Sequence, residues 1–394
     1  MAEIFHALAL NLHQPESNLA TLWEQNRSEA LEILSALDRL STVLASHDDR
    51  AQVHLAISGT LLDSLTSEDF QELVAGHLDC HGFLWAIQNR RIFEILGTAY
   101  YHPVLPIIPP IDWDEHLTRW VTLARYLFGR TRFEGFWPPE MGFCMELIPH
   151  LKRLSYRYAL VDSEHVEPLT PMTSAELRYL PHVAEFGGDE MVVIVRDRAL
   201  SNAVLAGMNC EQFQETVRQQ TSECSAPAMV SLCVNGDNGE RFRSADPQVN
   251  FWSSFYLPLL QHGEHHSSPL QAIFIHDYLN RYGTHGRVKV GPGAWNTPWH
   301  DGKDFVQWTG SAAQREALTR LDQVSQAFHT ARANVIGIRA ENDEIRHQLE
   351  EALRRILRAE TSCHFFWGEA WVPRCHRDLD EACVCLERAW NALR

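Results

Sequence analysis

The chain has 394 residues, 45% of them hydrophobic, and a formal net charge of −17. That length can bury one large domain and a smaller one, and the acidic balance excludes bulk electrostatic attraction to nucleic acid or an anionic membrane. Nine cysteines without zinc-type spacing read as buried free thiols in a reducing compartment. Cys383 and Cys385 stand two apart on an expected helix, where their side chains do not face each other. The opening stretch MAEIFHALAL lacks a basic segment and a long apolar run, and no stretch reaches transmembrane length. These features predict a cytoplasmic protein without a membrane partner; no pattern speaks to oligomeric state.

In chain order, IFHALALNL at residues 4–12 suits a buried strand and empties into His13-Gln14-Pro15. A polar cluster directly after a buried strand is where α/β barrels place active-site loops, so His13 is a candidate substrate contact; a capping or core histidine is the alternative. Residues 27–45 read as an amphipathic helix, 52–57 as a second strand and 61–93 as mostly helical. Phe93–Pro110 gives a third strand and a proline-punctuated loop in which Glu94, two tyrosines and His102 crowd together. Asp112–Phe128 is helical.

The stretch GFWPPEMGF, Gly135–Phe143, is the most distinctive in the chain. Pro138 and Pro139 each fix φ near about −65° and remove a backbone donor, which predicts a rigid strand end. Trp137 and Phe136 supply apolar walls, and Glu140 is its one carboxylate. A carboxylate pre-aimed and partly desolvated in this way suits a nucleophile or general acid. The alternative is a cap for the helix suggested by Met145–Leu154.

Further on, Leu151–Val161 reads as helix then strand and delivers Asp162, Ser163 and His165 to a loop. MVVIV at 191–195 and the run at 229–234 are plain apolar strands, the second opening into Asn235-Gly236-Asp237-Asn238-Gly239-Glu240. About seven strands separated by helices, each emptying polar residues at its C-terminal end, predict a βα barrel. No glycine-rich phosphate fingerprint appears, which disfavours a dinucleotide-binding fold. Past residue 310, Ala312–Ala333, Asn342–Ala359 and Leu379–Leu393 have helical apolar spacing, with Ile345, Leu349, Leu353 and Ile356 in the middle one. The expected division is a barrel over 1–305 and a three-helix bundle over 306–394. Between the last two helices, TSCHFFWGEAWVP either lines a cleft with Phe365, Phe366, Trp367 and Trp371 or cements the bundle to the barrel.

Glycosidic bond hydrolysis needs two carboxyl groups and no cofactor; when they lie about 5–5.5 Å apart, one acts as nucleophile and the other as acid then base. Glu140 is the candidate nucleophile and Asp237 the candidate partner, although Asp and Asn beside Gly are also strong turn chemistry. His13, Glu94 and His102 would orient hydroxyls, and Trp and Tyr residues would stack on sugar faces. A metal-dependent hydrolase would draw on His13, His54, His102, His165 and an Asp, yet no strand end carries a paired-histidine motif. A non-catalytic sugar-binding protein on the same barrel is a third reading.

The order LNLHQP, FEILGTAYYHPVLPIIP, GFWPPEMGF, a DNGE-type loop and an aromatic C-terminal segment resembles glycoside hydrolase family 57 from about residue 4 to 380. The resemblance implies an incomplete (β/α)7 barrel followed by a helical bundle completing the cleft. It also implies retaining chemistry on α-glucans or related α-linked sugars, by hydrolysis, 4-α-glucanotransfer or branching. Carried over, Glu140 looks like the nucleophile, while Asp237 remains the candidate acid/base by its place in the loop after a strand. His13, Glu94 and His102 resemble its substrate-contacting positions, and Trp367 sits in the segment that resembles its last motif; Trp137, Asp162, Asn238 and Glu240 are further candidate substrate-binding residues of this sequence, and no metal is expected. Two positions depart from its pattern. Asn11 stands where the first motif usually has histidine. Asn238, with Asp237 one step earlier, directly precedes Gly239-Glu240, where the acid usually stands; aligning on Gly236-Asp237 instead puts Asn235 there. Either Asp237 acts from a shifted loop or catalysis is impaired.

Overall fold

The computed structural model describes residues 3–45, 47, 50–262, 270–296, 303–337 and 342–392. Seven strands carry the architecture: β1 (Ile4–Leu12), β2 (Val53–Ile57), β3 (Phe93–Leu96), β4 (Gly135–Phe136), β5 (Tyr158–Asp162), β6 (Asp189–Arg196) and β7 (Ala228–Asn235). β1 pairs in parallel with β2 and β7, β2 with β3, β4 with β5, and β5 with β6. Two thin links close the ring, a parallel bridge between Gly97 and Phe136 and the single pair Arg196 and Ser231. The result is the expected (β/α)7 barrel. Parallel strands covered on both faces need near-continuous apolar runs, and β2, β3 and β5 are buried throughout.

β4 is short because Pro138 ends it, and Gly135 is required there. A Cβ at Gly135 would come within 2.3 Å of the Tyr158 ring, which lies across that position. Among the described residues four further strands join the sheet that the sequence did not flag: Val166–Pro168, His182–Phe186, Gln271–Ala272 and Gly286–Val290. His182–Phe186 runs antiparallel to β6 through Gly187 and Gly188, both at positive φ, a two-residue hairpin that only glycine makes easily.

The helices Ala312–Gly337, Asp343–Ala359 and Val372–Ala392 pack on one another as the expected bundle. The middle one buries Ile345, Leu349, Leu353 and Ile356, and its Asn342 cap accepts from Ile345 N at 2.9 Å. The last helix starts at Val372 rather than Leu379, because Pro373 occupies its first turn, where the missing N–H costs nothing.

The chain forms two compact units. The first comprises Met1–Thr98, Trp120–Trp137 and Cys144–Gly291 and holds the barrel strands. The second comprises Ala99–Arg119, Pro138–Phe143 and Pro292–Arg394, so Glu140 belongs to the same unit as the three helices. No described helix is long and apolar enough to cross a membrane.

Candidate active site

Glu140 lies in a single 3-10 turn, Pro139–Met141, so the expected strand end is a turn instead. After extended Pro138, Glu140 (φ 55°, ψ 20°) and Met141 (φ 53°) occupy the left-handed region. Such non-glycine residues cost about 1–3 kcal/mol each and persist where the surroundings over-determine them. Here Met141 N and Gly142 N close the turn onto Pro138 O and Pro139 O, and Trp295 N donates to the Glu140 carbonyl at 2.9 Å. The carboxylate is gripped at both oxygens: Trp295 Nε1–H donates to Oε2 at 2.8 Å, and the Ser362 hydroxyl donates to Oε1 at 2.8 Å. His102 Nε2 stands 3.7 Å from Oε1, and Ser362 N donates to the His102 carbonyl at 3.0 Å. One serine therefore aligns both the carboxylate and the histidine loop. Burial pushes the Glu140 pKa up, while the Ser362 and Trp295 donors pull it back. The capping alternative fails, because the next helix begins at Leu147 with Glu146 at its N-cap.

Asp237 belongs to the first unit, in the loop leaving β7, and is wholly buried. Its Oδ2 accepts from Gln14 Nε2 at 2.8 Å and from His13 N at 3.2 Å. Its Oδ1 has no hydrogen-bond partner among the described residues. Burial pushes its pKa up to about 6 against the Gln14 bond and the Arg243 charge. Burial thus lifts this carboxyl above the usual carboxylate range. Burial drops His13 to about 3, so its ring is neutral. Asn238 points outward; its amide oxygen accepts from Gln14 and Arg243, and its Nδ2 donates to the His13 carbonyl at 3.2 Å. Glu240 is exposed at the start of a short helix. The structure thus gathers His13, Asp237 and Asn238 around Gln14, and His102 and Glu140 around Ser362.

The other candidates are held elsewhere. Glu94 is near the N-terminal end of β3, opposite the end that feeds the polar loops. It accepts from Tyr158 OH at 2.8 Å and contacts His276 Nδ1 at 2.7 Å. Burial raises its pKa, yet the His276 bond, with His54 close by, outweighs that and brings it down to about 2. Of these two histidines His276 is the real partner. His54 Nε2, 3.4 Å from Glu94, already accepts from Ile275 N, while its Nδ1 faces the Leu8 carbonyl at 3.0 Å. Asp162 is buried between Arg196 and Arg198, at 2.6 and 2.8 Å. Trp137 is fully buried, whereas Trp367 is 48% exposed beside Phe366 and Trp371, with Phe365 packed inward. Among the described residues no three His, Cys, Asp or Glu side chains gather as a metal would need, the four histidines of the metal alternative included.

Sequence reasoning missed Gln14, Trp295 and Ser362. Gln14 and Ser362 sat inside stretches already singled out, HQP and TSCHFFW, whereas Trp295 carried no signal beyond being aromatic.

The model of glycosyl hydrolase family 57 matches residues 6–291. A search among curated proteins finds no match. Among solved structures, the chain is similar to a 4-alpha-glucanotransferase from Thermococcus litoralis at 17% identity and TM-score 0.69, covering 98% of this chain and 60% of that one. It is also similar to a GH57 branching enzyme from Thermococcus kodakaraensis at 13% identity and TM-score 0.73, covering 96% of this chain and 88% of that one. A third is the alpha-amylase AmyC from Thermotoga maritima, at 12% identity and TM-score 0.66, covering 100% of this chain and 93% of that one. The chain thus spans less than two thirds of the glucanotransferase, and likeness at these identities shows the fold. The family match covers most of the chain, including both the GFWPPEMGF turn and the Asp237 loop: this protein belongs to glycosyl hydrolase family 57.

Proposed function

We propose that this protein is a retaining enzyme acting on α-linked glucans, with Glu140 as nucleophile and Asp237 as acid/base. The observation that carries the reading is Glu140 itself, a buried carboxylate in a strained left-handed turn with a donor on each oxygen. Glu140 attacks the anomeric carbon as the glycosidic bond breaks, and the departing oxygen takes the proton from Asp237. The Asp237 carboxylate then accepts a proton from water or a sugar hydroxyl, whose oxygen attacks the same carbon and releases Glu140. The names of the similar structures support an α-glucan as substrate. Residues 1–305 are proposed as the catalytic domain and 306–394 as the helical domain.

One observation favours a second reading: Asn238, not an acid, directly precedes Gly239-Glu240. An amide donates no catalytic proton, so a carbohydrate-binding homologue with impaired catalysis is the competitor. The test is product analysis of maltoheptaose incubated with the protein and with Glu140→Gln. Oligosaccharides both longer and shorter than the substrate mean transfer, and shorter ones alone mean hydrolysis. Unchanged substrate with a glucan-induced rise in melting temperature supports the binding reading. Neither turnover nor binding rejects the α-glucan.

A further inference from the structure

Ser362, which grips Glu140 and the His102 loop, follows two residues after Glu360 at the C-terminus of the Asp343–Ala359 helix. Glu360 is 1% exposed and sits in a knot of polar side chains that the proposed mechanism does not use. His116 Nε2 lies 2.6 Å from its Oε2. The Asp112 carboxyl acts on Glu360 as a neighbouring acid, and two carboxyls bond to each other only if one carries a proton. Asp112 also accepts from Ser325 Oγ and contacts His329 Nε2 at 2.6 Å. Arg332 donates to His329 Nδ1 at 3.2 Å, which makes Nε2 the nitrogen that donates to Asp112, and to Glu115 at 2.7 Å. Tyr101, one residue before His102, sets its ring edge-on to His116.

Three segments therefore meet at Glu360: Asp112 and His116 from the Pro110–Phe128 helix, Ser325 and His329 from the Ala312–Gly337 helix, and the end of the Asp343–Ala359 helix. Burial, and then the Asp112 charge, push Glu360 well above the usual carboxylate range. Burial raises Asp112 too, but the bonds from His329, Ser325 and Glu360 outweigh it and hold Asp112 low. Burial lowers His116 to about 3, leaving a neutral ring. Of the two carboxyls Glu360 is the one that favours its proton and Asp112 the one that favours its charge, with His329 on Asp112 and Arg332 behind it.

We propose that Glu360 is a positioning residue for Glu140: bonded to Asp112 and His116, it fixes the Glu360–Ser362 turn so that the Ser362 hydroxyl meets Oε1 of Glu140. The catalytic consequence rests on Glu140 being the nucleophile; the positioning itself does not, and the test separates the two. The Glu140 titration is read from the side-chain carboxyl resonance in protein labelled with 13C-glutamate, assigned with Glu140→Gln. Losing the Ser362 donor removes a bond that favours the ionised form, so Ser362→Ala raises the Glu140 midpoint by about one pH unit. Glu360→Ala is expected to raise it in the same direction. Glu360→Gln, whose amide still donates to Asp112 and accepts from His116, is expected to leave it in place. Should Glu360→Ala not fold, Glu360→Asp keeps the proton, shortens the arm by a methylene and carries the same expected rise. A Glu140 midpoint unmoved by the shortened or truncated residue, or moved as far by Glu360→Gln, overturns the proposal. In maltoheptaose turnover the Ala variant loses about tenfold in kcat with KM unchanged, and Gln restores it. A wild-type protein that turns nothing over speaks against the catalytic reading of Glu140 alone, and the titration then decides the positioning.

Discussion

The proton on Asp237 is set by few groups, and Gln14 is the most direct of them. Its amide donates to Oδ2 at 2.8 Å, and it is itself fixed by Thr60 Oγ1 on its carbonyl at 2.7 Å and by Asn18 Nδ2 on its Oε1 at 3.0 Å. Gln14→Met keeps the unbranched shape and removes the donor. A hydrogen bond to a charged group is worth about 1.5–3 kcal/mol, and the protonated acid keeps part of that value. A differential of about 1.4 kcal/mol corresponds to about one pH unit. The donor favours the ionised form, so its loss moves the Asp237 pKa upward from about 6. The acid must be protonated to release the leaving group, so the alkaline limb of kcat/KM on maltoheptaose should move upward by the same amount. The acid limb, set by Glu140 in the second unit, should stay where it is. Initial rates across the pH range, with far-UV circular dichroism to confirm folding, measure both. An alkaline limb that stays put in a folded Gln14→Met protein refutes Asp237 as the acid, since Asn238 cannot titrate in its place.

Five other variants probe the remaining candidates. Asp237→Asn should lower turnover by about 10²–10⁴-fold; if Glu240→Gln does so instead, the assignment of the acid is wrong. Asp237→Asn should also melt higher near neutral pH. A folded-state pKa raised to about 6 contributes stability that is full below the unfolded pKa and lost as pH rises through about 6, roughly 3 kcal/mol over that window. Tyr158→Phe removes a bond to Glu94 and should cost about 1–3 kcal/mol in urea with KM unchanged. Because the Glu94 pKa is lowered to about 2, its share of stability is present above the unfolded value and lost as pH falls toward 2. A Glu94→Gln protein with raised KM and intact stability would place that residue on the substrate instead. Arg196→Met leaves Asp162 buried with one arginine and should cost about 3–5 kcal/mol in chemical denaturation; an unchanged midpoint would mean the ion pair carries no stability.

Much of the barrel was legible because its strands are uniform apolar runs that end in polar clusters, a pattern set by burial on both faces. The four added strands were not, since Val166–Pro168, Gln271–Ala272 and Gly286–Val290 are short and borrow their pairing from neighbours. His182–Phe186 did leave a sign, the Gly187-Gly188 turn, which went unread because HVAEF carries charge where a barrel strand would not. Glu140 was legible from its prolines, but its turn was not: a left-handed glutamate is imposed by partners such as Trp295, far away in sequence. Glu94 was legible as a candidate, but its setting was not. It stands in a stretch that the family resemblance weights heavily, and a sequence position does not tell which end of a four-residue strand a side chain occupies. Its partners Tyr158 and His276 lie 64 and 182 positions away, and neither shares a motif with it.

The choice between Asp237 and Asn238 turns on what each costs. In the sequence both are turn residues beside glycine, and either satisfies the local backbone. In the fold, Asn11 Nδ2 donates to Asn235 Oδ1 at 2.9 Å across the C-terminal ends of β1 and β7, so the first departure from the family pattern pairs with the residue that the alternative alignment puts in the acid's place. Asn238 is exposed, with its amide oxygen taken by Gln14 and Arg243, a site where water would serve as well. Asp237 is buried with one oxygen unpaired, an arrangement that destabilises the ionised fold at neutral pH. A residue kept only for its turn would gain by being asparagine here. The aspartate is the more expensive choice at this position, and what it adds is a transferable proton, which supports catalysis from a shifted loop over an emptied site.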